Sequence, residues 1–383
     1  MCALALAIGL ACASAFAADD APAQPTISPS SDLSSAFSPD EWARVERSVD
    51  QGLAWLAGQQ AADGSFPSND VGQPAVTSLA VMAFLSRGHL PGGGKFGRQI
   101  ERAIDYVLAQ QNRRGYFSAL QVAPSVGHLK PPQTLNYNHF IAGLMLGEAY
   151  GMTSGERSRR IETALAKALA YTRSVQALAK AHPDEAGGWR YAYQDGPGAN
   201  ADLSVTGWGL MFYRSARNAE FELPKEFVDE ALDFVERCYV PDSADRQPGV
   251  FRYRPLSVQK EAQPTLANSG SGMLALMLGG RHESDLVRQG TEWFKSHQFL
   301  SPPQTAHFYI AMYYSSQAMA QAGGDAWDRV YPRIATMLID EQTPNGAWPA
   351  GGGNEVSFGS TYSTSLAVLA LTPPYQLLPI YQR

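Results

Sequence analysis

The polar residues best placed for chemistry stand at the starts of apolar segments. Each of six apolar stretches carries one polar residue near its beginning, and these are Thr77, Asn138, Thr206, Ser269, His307 and Thr364. If the six stretches are parallel helices, these side chains gather at one end together with the partial positive charges of the helix N-termini. They are therefore candidate ligand contacts. The alternative is that they satisfy free backbone groups at the helix starts.

Asp202 stands immediately before one of these stretches and is the candidate catalytic acid. A carboxyl group that burial keeps protonated can donate a proton to a substrate. Aspartate is also a favoured helix N-cap, a role that needs no chemistry. Both interpretations of Asp202 follow from the sequence.

Arginine and aromatic residues accompany this set. Arg190-Tyr191 and Arg252-Tyr253 recur at matching places in two predicted loops, where each arginine could bind an acidic ligand or a carboxylate of the scaffold. Aromatic residues also concentrate in the apolar stretches, and we take Trp208 and Tyr309 as candidate ligand contacts. Aromatic faces attract cations in a dry cavity, although the rings could equally fill the interior.

Two kinds of predicted helix position these residues. The amphipathic helices, expected to form an outer layer, are 41–57, 96–109, 157–177, 225–237, 283–296 and 325–340. The apolar helices are 74–86, 138–150, 202–215, 267–278, 305–320 and 363–371. Because a helix that is apolar on most faces is buried, the second set is expected to form an inner layer.

A repeated loop motif joins the two kinds of helix. Gln60, Gln111 and Gln342 are each followed by a glycine four positions later and an aromatic residue two beyond it. Gly187-Gly188-Trp189 and Gly249-Val250-Phe251 continue the series without the glutamine. Each hairpin leaves an apolar face that only a neighbour can cover. The sequence therefore predicts an all-α fold, an α/α toroid of six helical hairpins in two concentric layers.

The pattern Gln342 to Trp348 resembles the repeated motif of squalene–hopene and oxidosqualene cyclases. The hairpins around it resemble the squalene-cyclase and prenyltransferase-β repeat superfamily. The block Gly187-Gly188-Trp189-Arg190-Tyr191, with 202–208 after it, is similar to exported, uncharacterised bacterial members of that superfamily. This resemblance implies a toroid whose central apolar cavity binds an apolar or isoprenoid-like molecule.

The catalytic residues of that superfamily are only partly present. In the cyclases the acid is the middle Asp of a D-x-D-D-T segment, and Asp202 matches its position, whereas Asn200 and Leu203 replace the two neighbouring carboxylates. The Asp, Cys and His that hold zinc in prenyltransferases have no counterpart, nor have the D-D-x-x-D motif or the Cys-Gly-Glu-Gln thioester. The sequence therefore predicts no metal and no cofactor.

Three functions remain open from the sequence. The first is binding of an isoprenoid-like ligand without the full cyclase motif, and the second is a divergent acid-initiated terpene cyclase or isomerase that uses Asp202. The third is a carbohydrate-active toroid enzyme with two carboxylates or a basic residue. Its candidate carboxylates lie in loops and are Asp63, Asp184, Glu185, Asp195 and Glu355.

The N-terminal segments and the composition indicate the domain boundaries, the location and the kinds of partner. Residues 1–17 read as a signal peptide that ends in Ala15-Phe16-Ala17, residues 18–38 as a disordered tether and residues 39–383 as the toroid. The expected location is therefore periplasmic or extracellular, and Cys12 lacks the context of a lipoprotein anchor. The net charge of -6 is mild and unclustered, which argues against nucleic acid as a partner. Contact with a membrane surface stays open but is not indicated.

Overall fold

The alternation of amphipathic and apolar segments produces a helical protein. A computed structural model describes residues 28–120, 134–191, 198–241, 249–261, 263–351 and 353–382, and in these residues it contains twelve α-helices and no β-sheet. The outer helices are α1 (Pro39–Gln59), α3 (Gly97–Ala109), α5 (Gly155–Gln176), α7 (Lys225–Arg237), α9 (Asp285–Ser296) and α11 (Gly324–Glu341). The inner helices are α2 (Ala75–Ser86), α4 (Leu135–Tyr150), α6 (Leu203–Asn218), α8 (Leu266–Leu278), α10 (Phe308–Ala322) and α12 (Gly359–Leu371).

The inner helices form a closed ring. Each packs against the next in the order α2, α4, α6, α8, α10 and α12, and α12 packs against α2. Every residue of α2 is buried, whereas the outer helix α9 buries only Val287, Gly290 and Phe294. The predicted all-α toroid of six helical hairpins is therefore confirmed. None of the helices in the described ranges is long and apolar enough to span a bilayer.

The inner helices begin at one end of the ring and finish at the other. Along α4 and α6 the close contacts advance together, since Gly143 lies against Phe212 and Gly147 against Ser215, so these helices run parallel. The first turns of α2 and α4 are joined by a hydrogen bond from the Ala75 N–H to Asn138 Oδ1. We call the end where the inner helices begin the mouth, and the end where they finish the base.

The repeated glutamines tie neighbouring hairpins together. Each side-chain amide donates to the carbonyl of its loop glycine and to a carbonyl of the next outer helix, over 2.8–3.1 Å. The four glutamines are Gln60, Gln111, Gln176 and Gln342. Gln342 reaches Ser48 of α1, which closes the ring. Gln176 escaped the sequence pattern because a short 3-10 turn, Pro183–Glu185, lengthens its loop.

The loop glycines are required by a close approach of two backbones. Gly187 has φ 84°, and a Cβ there would lie 2.0 Å from the carbonyl oxygen of Glu230 on α7. Gly346 has φ 92°, and a Cβ there would lie 2.6 Å from the carbonyl oxygen of Gln51 on α1. The motif is thus a structural joint between hairpins.

The segment before α1 is packed over its last residues. Leu33 is buried, its carbonyl accepts a 2.9 Å hydrogen bond from the Trp327 indole, and the Ser30 N–H donates to the Pro374 carbonyl over 2.8 Å. The predicted disordered tether of residues 18–38 is therefore too long at its C-terminal end. Residues 18–27 and the predicted signal peptide lie outside the described residues.

The C-terminal segment closes the base. Glu148 of α4 accepts the Ile380 N–H at 3.0 Å on one oxygen and the Ser215 hydroxyl at 2.6 Å on the other. The Tyr381 carbonyl accepts from the Gln321 amide at 2.8 Å, and the Tyr381 and Tyr313 hydroxyls hydrogen-bond each other inside the ring. The chain's own last residues therefore occupy this end.

Candidate functional site

Asp202 is the N-cap of α6 and is fully buried. Its Oδ1 accepts hydrogen bonds from the Val205 N–H at 3.0 Å and the Ser204 hydroxyl at 2.7 Å. Its Oδ2 is buried and has no hydrogen-bond partner. The capping interaction anticipated from the sequence is therefore present, but it uses only one of the two oxygens.

Burial raises the pKa of Asp202 to about 6. The hydrogen bonds from Ser204 and Val205 lower it, as do the charge of Arg190 and the Tyr253 hydroxyl, and burial outweighs all of them. A carboxyl group with this pKa changes protonation state near neutral pH. Asp202 can therefore hold or release a proton under ordinary conditions.

Three tyrosines stand beside Asp202, and we call Tyr137, Tyr191 and Tyr253 the tyrosine wall. The Tyr137 hydroxyl hydrogen-bonds Ser204 at 2.5 Å, and the hydroxyls of Tyr191 and Tyr253 hydrogen-bond each other. The ring centroids of Tyr137 and Tyr191 are 5.9 Å apart, and those of Tyr191 and Tyr253 are 6.4 Å apart. The tyrosines of both Arg-Tyr pairs therefore meet at one place.

The two arginines of these pairs do different things. The Arg190 guanidinium lies 4.9 Å from the Tyr191 ring centroid and 5.7 Å from that of Tyr253, and its Nη1 is buried without a hydrogen-bond partner. Arg252 is 1% exposed and donates to the Lys260 carbonyl at 3.1 Å, so it holds its own loop. Arg190 faces the candidate site and Arg252 belongs to the scaffold.

Aromatic rings cross the axis of the ring below Asp202, and we call Trp208, Tyr313 and Tyr314 the aromatic floor. Trp208 stacks on Tyr313 at 5.8 Å and lies 5.6 Å from Tyr314, although α8 separates α6 from α10 in the ring. Trp208 is the sixth residue of α6, which places the floor about 8 Å below the start of that helix. The central cavity expected from the sequence is therefore filled at this level, and we call the region between this floor and the helix starts at the mouth the bowl.

A polar atom on the floor also lacks a partner. The Trp208 indole N–H is buried and makes no hydrogen bond, and the buried Tyr314 hydroxyl has only the Ser271 hydroxyl beside it. Natively buried polar groups are nearly always paired with protein, ligand or water. Together with Asp202 Oδ2 and Arg190 Nη1, the Trp208 indole gives the bowl donors and acceptors that the chain does not satisfy.

Four of the six polar residues at the helix starts have a structural contact. Their hydroxyls accept the backbone N–H of the motif aromatic residue over 3.0–3.2 Å, which joins each loop to its inner helix. These four are Thr77, Thr206, Ser269 and Thr364, and all are fully buried. The structure accounts for them without a ligand, so their role as ligand contacts stays a prediction.

Asn138 and His307 do not occupy the equivalent positions that the sequence predicted. Asn138 donates to the Val71 carbonyl at 2.8 Å as well as accepting from Ala75, so it joins α4 to the loop before α2. His307 is exposed and precedes α10 in the left-handed conformation, with φ 54°. The prolines at 302 and 303 form a 3-10 turn, which moves the helix start from the predicted 305 to Phe308.

A second buried carboxyl group lies at the mouth. Glu355 is 1% exposed, and its carboxyl group faces the backbone N–H groups at the start of α10 while no side chain hydrogen-bonds its oxygens. Burial raises its pKa to about 7, although the backbone N–H groups of Tyr309, Ile310 and Phe308 at the start of α10 lower it. The Tyr309 hydroxyl is buried nearby and is unpartnered. Tyr309 and Glu355 thus form a second polar cluster.

The remaining candidate carboxylates belong to the scaffold. Asp63 accepts from Ser65 within its own loop, and Asp184 accepts from the Ser257 hydroxyl. Glu185 is fully buried, pairs with Arg254 and accepts the Ala201 N–H at 3.0 Å. This pair positions the residue before Asp202, a role that nothing in the sequence indicated.

Asp195 lies outside the described residues. Within the described ranges, no three His, Cys, Asp or Glu side chains converge in a way that could hold a metal ion.

Comparison with known proteins finds the fold but no family. No protein-family model matches the chain, and no curated protein matches it in sequence. Among solved structures, the type II terpene cyclase MstE from Scytonema, in complex with its product merosterolic acid A, is similar with a TM-score of 0.55 and 15% identity. The match covers 88% of this chain and 99% of that chain.

Carbohydrate-active enzymes share the same architecture. The GH76 α-mannanase BT2949 from Bacteroides thetaiotaomicron gives a TM-score of 0.57 at 11% identity, over 87% of this chain and 96% of that chain. An α-amylase from Clostridium perfringens gives 0.54 at 12% identity, over 85% and 97%. At these identities the likeness concerns the fold alone. The chain has a terpenoid-cyclase-like α/α toroid fold, and the narrower assignment to squalene–hopene cyclases stays a prediction.

Proposed function

We propose that this protein binds an apolar, isoprenoid-like molecule in the bowl at its mouth. The observation that carries the proposal is the combination of an aromatic floor and wall with buried polar atoms that have no partner. Asp202 Oδ2, the Trp208 indole N–H and Arg190 Nη1 are the atoms concerned. A ligand that covers the rings and pairs with these atoms would stabilise the site.

The free-energy cost of unpaired buried polar atoms favours a ligand bound in the bowl. A buried polar atom without a partner costs about 1–3 kcal/mol, so several of them at one site represent a sizeable penalty in the unliganded protein. Tyrosine and tryptophan rings each offer a large apolar face. An isoprenoid supplies apolar surface for the rings, and its functional group can satisfy the polar atoms.

The depth of the bowl limits how the ligand lies. Because the aromatic floor stands about 8 Å below the mouth, only one end of a long chain enters, and the remainder stays at the rim. The proposal therefore expects geraniol to bind about as tightly as geranylgeraniol.

Calorimetric titration of the purified protein with geraniol, geranylgeraniol and squalene tests the proposal. Saturable binding of the two alcohols is the expected result. If none of the three compounds binds to a folded sample, the proposed function is wrong.

A second candidate is acid-initiated cyclisation or isomerisation of the same class of ligand. The specific observation in its favour is that Asp202 Oδ2 is free while burial holds the pKa of its carboxyl group near 6. Product analysis by mass spectrometry, with Asp202→Asn as the control, tests it. An isomeric product that is absent with the variant supports catalysis, and full turnover by the variant would remove Asp202 from the reaction.

A carbohydrate-active function is the third candidate, because Glu355 gives the mouth a second buried carboxyl group that no side chain pairs. Two carboxyl groups are the usual equipment for hydrolysis of a glycosidic bond. A panel of neutral and uronic glycans, assayed with the wild type and Glu355→Gln, tests this candidate. An inactive panel would retire it.

A further inference from the structure

Arg190 and Asp202 are oppositely charged neighbours that do not form an ion pair. The Asp202 N–H donates to the carbonyl of Trp189, the residue before Arg190, over 2.9 Å, yet no ion pair within 4.0 Å joins Arg190 and Asp202 in the described part of the chain. Arg190 Nη1 and Asp202 Oδ2 are both buried and unpartnered. The site thus holds one free donor and one free acceptor at neighbouring positions.

The surrounding side chains leave this pair open. The Ser204 hydroxyl donates to Asp202 Oδ1, the Tyr137 hydroxyl bonds to Ser204, and the Tyr253 hydroxyl, which lies near enough to Asp202 to lower its pKa, bonds to the Tyr191 hydroxyl. The nearby Arg254 is occupied by Glu185. Cation–π contacts with Tyr191 and Tyr253 hold the Arg190 guanidinium in place.

We propose that the head group of the ligand is a neutral hydroxyl, which donates to Asp202 Oδ2 and accepts from Arg190 Nη1. This inference rests on the proposed binding function and names the functional group of the ligand. A hydroxyl has one hydrogen to donate and lone pairs to accept, so it satisfies both free atoms at once. The ligand is therefore an isoprenoid alcohol.

Charged head groups fit this pair less well. A carboxylate or diphosphate gains from Arg190 but is repelled by Asp202, and an ammonium group gains from Asp202 but is repelled by Arg190. A hydrocarbon leaves both buried atoms unpartnered. Only the neutral alcohol avoids all three penalties.

A series of ligands with one carbon skeleton and different head groups tests the inference. Geraniol, geranic acid, geranylamine and the hydrocarbon 2,6-dimethylocta-2,6-diene are titrated into the intact protein at pH 8. Geraniol is expected to bind at least about tenfold more tightly than each of the others, as the loss of one buried hydrogen bond to a charged group implies.

Two variants reverse the preference in opposite directions. Arg190→Met leaves Asp202 as the only charge and is expected to favour geranylamine, whereas Asp202→Asn leaves Arg190 and is expected to favour geranic acid. Arg173→Met is the matched control, because its guanidinium also lies over an aromatic ring, 4.3 Å from the Phe227 centroid, on the outer helix α5. The control is expected to keep the wild-type order of affinities.

An error in the hydroxyl assignment and an error in the proposed binding function would give different results. If all four compounds bind the wild type equally, or if Arg190→Met and Asp202→Asn leave the order unchanged, the hydroxyl assignment is wrong while isoprenoid binding stands. If none of the four binds, the proposed function fails and the assignment fails with it.

Discussion

Carboxyl groups are buried against the inner helices at both ends of this toroid, but the chain fully pairs only the one at the base. At the base, both oxygens of Glu148 accept hydrogen bonds, one from Ser215 and one from Ile380. At the mouth, Asp202 Oδ2 has no hydrogen-bond partner, and Glu355 faces only the backbone N–H groups at the start of α10. Burial raises the pKa of Glu148 and of Glu355 to about 7, so desolvation alone does not distinguish the two ends.

The two ends differ in whether another segment of the chain supplies hydrogen-bond partners for the buried carboxyl group. The C-terminal segment reaches into the base and brings its own N–H groups and hydroxyls, as a structural element does. In the described residues, no separate segment brings a side-chain partner to Asp202 Oδ2 or to Glu355. Unpaired buried polar groups that a protein retains are commonly found at functional sites. The comparison therefore predicts that changes at the base affect stability and that changes at the mouth affect binding.

Removing the C-terminal segment is expected to have the largest effect. Leu378 and Ile380 are 3% and 1% exposed, and ending the chain at Gln376 exposes the surface that they cover. The free energy of unfolding is expected to fall by roughly 3–6 kcal/mol, at about 1.5–3 kcal/mol for each large aliphatic side chain. Urea unfolding measures the change. A loss below about 1 kcal/mol would mean that the segment does not close the base.

Truncating Glu148 is expected to have the next largest effect. Glu148→Ala leaves the Ile380 N–H without an acceptor in a buried position, so the unfolding free energy should fall by roughly 1–3 kcal/mol. Glu148→Gln is the matched control, because an amide of the same size can still accept from Ile380 and bond to Ser215. Equal stability of the alanine and glutamine variants would contradict the pairing described for the base.

The pH dependence of stability should reveal the unpaired carboxyl group of Glu355. Its pKa is raised from the ordinary 4.5 to about 7, so the protonated form favours the folded state. This contribution is present below pH 4.5 and is lost as the pH rises through 7. Glu355→Gln cannot ionise and should therefore be more stable than the wild type at pH 8, by roughly 1–3 kcal/mol.

Thermal or urea unfolding at several pH values, with the wild type and Glu355→Gln side by side, makes that comparison. A stability difference that does not grow between pH 5 and pH 8 would show that the carboxyl group is hydrated or paired.

The smallest effect on stability is expected for Asp202→Asn. Asparagine is about as good an N-cap as aspartate, and it can keep the hydrogen bond from Val205 to the side-chain oxygen. The unfolding free energy should therefore change by less than about 0.5 kcal/mol. A loss above about 2 kcal/mol would instead mean that the folded protein depends on the carboxyl group itself and not only on the cap.

The sequence was sufficient for the fold because the fold is repetitive. The helical spacing of apolar residues and the Gln-Gly-aromatic motif predict all twelve helices and the closed ring, and the resemblance to terpenoid cyclases leads to the same architecture. Local chemistry was enough to identify Asp202 as a cap. The missed glutamine, Gln176, lies eleven residues before its glycine, so a fixed spacing could not find it.

The site was less predictable because it depends on contacts between distant segments. The aromatic floor joins α6 to α10 across the axis, and no local pattern shows that Trp208 reaches Tyr313 rather than lining an open cavity. The sequence likewise does not show that Arg190 and Arg252 make different contacts, because both stand in identical Arg-Tyr pairs. The prediction for His307 failed because the 3-10 turn at Pro302–Gln304 delays the start of α10, whereas Asn138 bonds to the loop before α2 and not to its own motif loop.

The most direct test of the account measures geraniol binding by calorimetry in two variants, one for each end of the toroid. The account predicts that Asp202→Asn weakens binding by about tenfold or more, because a charge-assisted hydrogen bond is lost, with little change in stability. It also predicts that Glu148→Ala lowers stability and leaves the affinity within about twofold of the wild type. Wild-type affinity in Asp202→Asn, or an equal loss in both variants, would contradict the assignment of binding to the mouth.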